Sequence, residues 1–270
     1  MVVNDAEDHA TDLIILAFFF AMRSCEYVTA TPPGRTKTIT LGCITFWTES
    51  RQLVPHDDPR LYQISVYVRI VFLDQKNGEK FEVRSQKRTG DPDLCPVICA
   101  ARAVRRVLKY FPDCDESTLL CATNGAGNRS SNIGQDFTLR LLRKTCHDFG
   151  GKDRFGFDKE EIGNKSIRSG AAMALFVTGH SSEKIMILGR WKSSSFLDYI
   201  RPQVIEWVNQ FSSDMISFNN FFELFVSNKK RTEFQRRCFE IPNLVRSYKK
   251  ISGRRWNSVS NRKKVWNYKY

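Results

Sequence analysis

Metal-binding patterns are missing from this 270-residue chain. It has four histidines and eight cysteines, and no two cysteines form a Cys-x-x-Cys pair. Structural zinc sites need such ligands at short, regular spacings. The sequence therefore predicts no metal site and no cofactor, and it favours reduced, mostly buried thiols.

Long apolar runs are also missing. The longest one, Leu13 to Met22, has about half the length that a bilayer-spanning helix needs. Acidic rather than basic residues precede it, which is unlike a secretory signal. We therefore predict no membrane span and an intracellular protein, located in the nucleus of a eukaryote or in the cytoplasm or nucleoid of a prokaryote.

Positive charge is unevenly distributed. The chain has 42 basic and 29 acidic residues, but 14 of the basic and only 2 of the acidic residues lie within 228–270. We therefore expect a nearly neutral body, 1–227, that is large enough for a hydrophobic core, and a basic tail, 228–270. Cations interleaved with aromatic residues are typical of nucleic-acid binding, although a disordered tail or a nuclear-import signal has the same composition. The candidate DNA-binding cations of the tail are Lys229, Lys230, Arg231, Arg254, Arg255, Arg262, Lys263 and Lys264.

Hydrophobic periodicity predicts an α+β body that is mainly helical, with a small antiparallel sheet or hairpin. Apolar and polar residues alternate through Ile39 to Trp47 and through Leu61 to Phe72, as in strands. Asn77-Gly78 then predicts a hairpin turn, with Lys80 to Ser85 as the returning strand. Helices are expected at 11–27, from Pro96 onward, and at 137–146, 166–177 and 183–188.

Three separated segments of the body combine cations with a tyrosine. The first has Arg23 and Glu26 as an Arg-x-x-Glu motif after an apolar helix. The second, Lys165 to Arg168, opens another predicted helix. The third, Gly189 to Trp191, precedes Tyr199.

In this order the motifs resemble those of the tyrosine recombinase, or phage integrase, family. The resemblance covers Asp12 to Gln203, essentially a whole catalytic domain, and includes a lysine on a hairpin, for which Lys76 is the candidate. The boxes Ser-Ile-Arg-Ser-Gly and Gly-Arg-Trp-x-Ser-Ser look closer to those of eukaryotic Crypton-like mobile elements than to those of bacterial chromosome-dimer resolvases. The resemblance implies the family's DNA breaking-rejoining catalytic fold.

The resemblance also implies a site-specific recombinase or integrase that cleaves DNA without metal or ATP. Arg23 and Arg168 would clamp the scissile phosphate, because guanidinium groups bind phosphate bidentately and stay charged. Tyr199 would attack phosphorus and hold the 3′ phosphate covalently until the strand is rejoined. Lys76 would protonate the departing 5′ hydroxyl as a general acid.

Two positions depart from the family pattern. Lys165 stands where a histidine is usual, which favours phosphate positioning over proton transfer. Arg190, nine residues before Tyr199, stands where a histidine or tryptophan is usual. A one-residue insertion would bring Trp191 to that place, so we expect Trp191 to donate its indole N–H to the phosphate. Arg190 is the alternative donor, and Arg190 and Glu26 are otherwise expected in supporting roles.

The implied partner is double-stranded DNA, and the resemblance implies self-association as a tetramer on paired DNA sites. The family's N-terminal DNA clamp has no counterpart before the first predicted helix, so we expect a longer parent chain or another polypeptide to supply it. Two other functions remain open, a DNA-binding remnant that no longer cuts and an enzyme like the type IB topoisomerases. An active enzyme requires Arg23, Arg168 and the Tyr199 hydroxyl to converge on one anion-sized space.

Overall fold

The computed structural model describes residues 5–34, 36–75, 78–124 and 130–200. Within them, helices surround a small antiparallel sheet, which confirms the predicted α+β class. Lys76, the predicted tail at 228–270 and its candidate DNA-binding cations lie outside the described residues. No helix in the described ranges is long and apolar enough to cross a membrane.

The elements alternate between helices and short strands along the chain. They are α1 (Asp5–Phe19), α2 (Ser24–Tyr27), β1 (Ile44–Trp47), β2 (Leu53–Val54), α3 (Leu61–Ile64), β3 (Tyr67–Asp74), β4 (Lys80–Lys87), α4 (Pro96–Tyr110), β5 (Ala122–Asn124), β6 (Ser130–Asn132), α5 (Gln135–Asp148), α6 (Gly151–Phe155), α7 (Ser166–Val177) and α8 (Ser182–Gly189). Short 3₁₀ helices cover Leu41–Cys43, Lys159–Glu161 and Ser194–Tyr199.

Helix α1 is the central helix and packs against α4, α5 and α7. It is buried on every side from His9 to Ala17, as expected for a helix that is apolar all round. The prediction of one helix over 11–27 is wrong. Acidic residues in the first turn favour an earlier start, and the helix ends where Ala21 takes a left-handed backbone conformation, with φ of 46°.

The main sheet has the strand order β2-β1-β3-β4, with all neighbours antiparallel. The predicted hairpin is confirmed, because Asp74 pairs with Lys80 across the turn and Gly78 takes a φ of 82° that suits glycine. The strand predicted over Leu61 to Phe72 is partly wrong. Its first residues form α3, because Leu61 turns into the core beneath α4.

The buried apolar residues form two clusters. The larger one joins α1, the inner face of the main sheet, α4 and α5. The smaller one belongs to α7, α8 and the last 3₁₀ helix, which we call together the C-terminal unit (residues 166–200). Its buried members are Ala172, Met173, Ile185, Phe196 and Ile200.

Candidate active site

The candidate site forms where α1 ends and α2 begins. The last carbonyl groups of a helix have no partner within the helix and carry its negative dipole end, so cations are favoured there. The carbonyl of Ala21 accepts a hydrogen bond from Arg168 Nη1, and the carbonyl of Phe20 accepts one from Arg190 Nη1 at 3.0 Å. Two arginines from the C-terminal unit therefore meet at this single helix end.

Arg23 lies directly before α2 and is held by Glu26. The Glu26 carboxylate accepts a hydrogen bond from the Arg23 backbone N–H at 2.7 Å and one from Arg23 Nη1 at 2.9 Å. The Arg-x-x-Glu motif thus caps the start of α2, with Glu26 in the position of a capping-box glutamate. The Glu26 side chain is 1% exposed and that of Arg23 is 23% exposed, so Arg23 reaches the surface from a buried anchor.

Arg168 lies in the first turn of α7 and is buried. Besides Ala21, its guanidinium donates to the carbonyl of Gly189 and lies over the Trp191 ring, with Cζ 4.0 Å from the ring centre. Because Ala21 is two residues before Arg23, the structure brings the two predicted clamp arginines to the same helix break.

Trp191 covers Arg168 with the face of its ring. The ring also packs on Phe196, with 6.0 Å between ring centres. A Cβ atom added at Gly189 would overlap the indole. The absence of a side chain at this glycine of the Gly-Arg-Trp box therefore leaves the space that the ring occupies. The role of the indole N–H as a phosphate donor stays a prediction, whereas the ring face clearly screens Arg168 from solvent.

Arg190 is enclosed by protein groups, with a side chain that is 0% exposed. It pairs with Glu26 Oε2 through Nη2 at 2.6 Å and donates from Nε to Gln75 Oε1 at 3.0 Å. Its guanidinium also stacks on Phe72, with Cζ 3.6 Å from the ring centre. Burial lowers the pKa of Arg190, and Glu26 opposes that effect. Arginine nonetheless remains charged in proteins. These contacts suit the supporting role predicted for Arg190 better than contact with a phosphate.

Gln75 is a site residue that the sequence analysis missed. It is fully buried at the hairpin, and its Oε1 accepts hydrogen bonds from both Arg190 and Arg23, the latter at 3.4 Å. Its Nε2 donates to Glu82, and its backbone closes the turn with Gly78 and Glu79. The only available signal was its position before the Asn-Gly turn, which says nothing about the arginines.

The structure gives fewer contacts for the two remaining predicted residues, Lys165 and Tyr199. Lys165 directly precedes α7, and its side chain is exposed. Tyr199 ends the last 3₁₀ helix, next to the buried Ile200, while its side chain lies outside the description. The convergence of the tyrosine hydroxyl with the arginines therefore stays a prediction.

A cleft of about 310 Å³ lies beside this site, between β4 and α8. Its charged lining consists of Glu79, Glu82, Glu183, Arg84, Arg190 and Lys192. Acids thus balance the cations, and Lys192 is paired with Glu79 at 2.5 Å. This cleft is a poor place for a phosphate.

The described residues contain no group of three or more histidine, cysteine or acidic side chains placed to hold a metal ion. All seven cysteines in the described ranges are free thiols, and five of them are buried. Comparisons with protein-family models, with curated proteins and with solved structures found no match.

Proposed function

We propose that this chain breaks and rejoins double-stranded DNA as a tyrosine recombinase, through a covalent 3′-phosphotyrosyl intermediate. The observation that carries the proposal is the hydrogen bond from Arg168 to the carbonyl of Ala21, two residues before Arg23. Arg23 and Arg168 are far apart from each other in the sequence. The C-terminal unit that contains Arg168 also contains Tyr199. Self-association on paired DNA sites belongs to the same proposal.

The chemistry follows from the types of residue at the helix break. Attack on a phosphodiester builds negative charge on the non-bridging oxygens, and preorganised guanidinium groups stabilise that charge without reorganising. Arg23 is anchored by Glu26 and partly exposed, so it is ready to take one oxygen. Lys165, exposed at the start of α7, would hold the phosphate from the side of the C-terminal unit.

Tyr199 would supply the nucleophile. The phenol loses its proton to solvent, and its oxygen forms a bond to phosphorus as the bond from phosphorus to the 5′ oxygen breaks. The leaving 5′ oxygen takes up a proton. Lys76 is the proposed donor of that proton. Because the phosphotyrosine bond retains the energy of the broken linkage, the reverse attack by a 5′ hydroxyl rejoins a strand without ATP.

A suicide-substrate assay tests the proposal. The probe is a pool of nicked duplexes with a randomised central sequence, in which the short leaving strand diffuses away and traps any covalent adduct. We expect an adduct that survives denaturing electrophoresis, disappears in Tyr199→Phe and persists in Tyr67→Phe, a matched change on the sheet surface. An adduct that persists in Tyr199→Phe would contradict the proposal.

One observation favours a second candidate, a DNA-binding remnant that no longer cuts. Arg168 and Arg190 are both only 3% exposed, and both donate to backbone carbonyls. In that case the same pool should yield sequence-selective binding without any adduct. Relaxation of a supercoiled plasmid without a selected site would instead indicate a topoisomerase-like activity.

A further inference from the structure

The C-terminal unit meets the rest of the body through both apolar and polar contacts. Ile167 at the start of α7 belongs to the larger core, whereas most of the other buried apolar residues of the unit form their own small cluster. Around the helix break, Arg168 and Arg190 donate to the carbonyls of Ala21 and Phe20, and Arg84 of β4 donates from Nε to the Ile187 carbonyl of α8 at 2.6 Å. Arginines therefore make the polar contacts between the tyrosine-bearing unit and the helix break.

Arg190 contacts more elements of the body than Arg168 or Arg84 does. Its guanidinium contacts Glu26 of α2, Gln75 of the hairpin and the Phe20 carbonyl at the end of α1. Its backbone is left-handed, with φ of 58°, at the end of α8. A non-glycine residue keeps such a conformation where its surroundings hold it there, and these conformations cluster at functional sites.

The same two side chains that hold Arg190 also hold Arg23. Glu26 accepts a hydrogen bond from the Arg23 guanidinium at Oε1 and one from the Arg190 guanidinium at Oε2. Gln75 Oε1 accepts from both arginines. The several donors of the Arg190 guanidinium thus hold the carboxylate and the amide that contact Arg23, although Arg190 itself is enclosed.

We propose that Arg190 is a positioning residue, which orients Arg23 through Glu26 and Gln75 and ties that orientation to the placement of the C-terminal unit. Its importance for catalysis rests on the proposed function, in which Arg23 contacts the scissile phosphate. Direct contact between Arg190 and that phosphate is the competing role. The buried side chain, 0% exposed and directed at protein acceptors and Phe72, argues against contact.

The first test needs no activity. Arginine Nε–Hε resonances are recorded by NMR for the full chain and for Arg190→Lys, which keeps the charge but loses the planar group with its multiple donors. We expect the Arg23 resonance to shift. The matched control is Arg143→Lys, because Arg143 also donates to protein groups, the carbonyls of Ile162 and Glu160. In this control the Arg23 resonance should not shift. An unchanged Arg23 resonance in a folded Arg190→Lys variant would overturn the proposal.

The second test separates positioning from direct contact. A methylphosphonate at the scissile position removes one negative charge, so it relieves the loss of an arginine that neutralises this charge. We expect Arg190→Lys to slow adduct formation about tenfold to a hundredfold at saturating DNA. Its affinity for DNA should be unchanged, and the loss should not add to that of Glu26→Gln.

The methylphosphonate should rescue Arg23→Ala and leave the Arg190 variant slow. Rescue of the Arg190 variant would show direct contact with the phosphate and reject the positioning role. If the unaltered protein forms no adduct on any substrate, the proposed function fails. The resonance of Arg23 would then still decide whether Arg190 orients it.

Discussion

Two buried carboxylates, Asp12 and Glu26, are each held by two arginines, but the two clusters differ in what surrounds them. Asp12 of α1 pairs with Arg102 and Arg106 of α4, at 2.5 and 2.6 Å. Glu26 pairs with Arg190 at 2.6 Å and with Arg23 at 2.9 Å. Both are clusters of buried ion pairs, yet only the Glu26 cluster has a partly exposed arginine, Arg23, whose side chain is 23% exposed.

The Asp12 cluster is closed within regular structure. Two continuous helices supply its members, and all three side chains are at least 90% buried. The Glu26 cluster instead lies at a helix break flanked by the left-handed residues Ala21 and Arg190. Strained backbone beside a partly exposed cation is typical of a site that acts on a ligand. We therefore propose that the first cluster serves stability and that the second serves the proposed function.

The largest expected effect is on stability, from Asp12→Asn. Burial lowers the pKa of Arg102, but the charge and hydrogen bonds of Asp12, together with Cys99 and Tyr62, raise it overall. Neutralising Asp12 removes this compensation and should lower the free energy of unfolding by about 3–5 kcal/mol. Urea denaturation measures the change.

A matched control for Asp12→Asn is Glu49→Gln, which removes one carboxylate charge at the surface, because Glu49 pairs with Lys87 where both side chains are more than half exposed. It should leave the urea midpoint unchanged. Equal midpoints for the two variants would break the assignment of the Asp12 cluster to stability.

The next effect is an acid-induced loss of stability centred on His9, beside the Asp12 cluster. Burial lowers the pKa of His9 to about 4, and Arg106 adds to this while Asp12 opposes it. As the pH falls from 7 to 4, the unfolded chain takes up the proton near its usual value and the folded chain does not. About 3 kcal/mol of stability should be lost across this window.

Unfolding free energies at several pH values test this prediction. The variant His9→Leu should flatten the part of the profile between pH 7 and 4, because it removes the group that titrates differently in the two states. His180→Gln, at an exposed position, should leave the profile unchanged. A full acid response in His9→Leu would mean that other groups cause it.

The sequence predicted what depends on local pattern. The hairpin at Asn77-Gly78 and the start of α4 at Pro96 are confirmed because turn and helix-start preferences act within a few residues. The ion pair between Glu26 and Arg190 joins residues 164 positions apart, and no spacing rule reaches that far. The end of α1 was missed for a similar reason, since distant arginines bond to the carbonyls of Phe20 and Ala21, the two residues that follow the helix.

A smaller effect is expected from Gly189→Ala in the Gly-Arg-Trp box. The added methyl group must displace the Trp191 ring, which covers Arg168. Overpacking of this kind costs about 1–3 kcal/mol. Thermal unfolding should therefore shift downward. In Gly163→Ala, where a Cβ meets no atom within 4 Å, it should not. Equal unfolding temperatures would mean that the ring yields without cost.

The smallest effect on stability is expected from replacing Arg23 by lysine. This change also distinguishes the two clusters best, because it should affect adduct formation much more than unfolding. Arg23→Lys keeps the charge at a partly exposed position, so we expect a loss of about 0.5–1 kcal/mol. Adduct formation should nonetheless fall by about 100-fold, because lysine cannot reproduce a fixed, two-pronged donor to the phosphate. Chemical denaturation and the suicide-substrate assay measure the two quantities on the same preparation.

The matched variant is Arg102→Lys, which makes the same chemical change in the other cluster. Arg102 holds both carboxylate oxygens of Asp12. Its replacement should therefore cost more stability than that of Arg23, while the folded molecules keep their rate of adduct formation. If Arg23→Lys proved the more destabilising of the two, the Glu26 cluster would be chiefly a structural element. The partly exposed arginine would then no longer mark the site where the chain meets DNA.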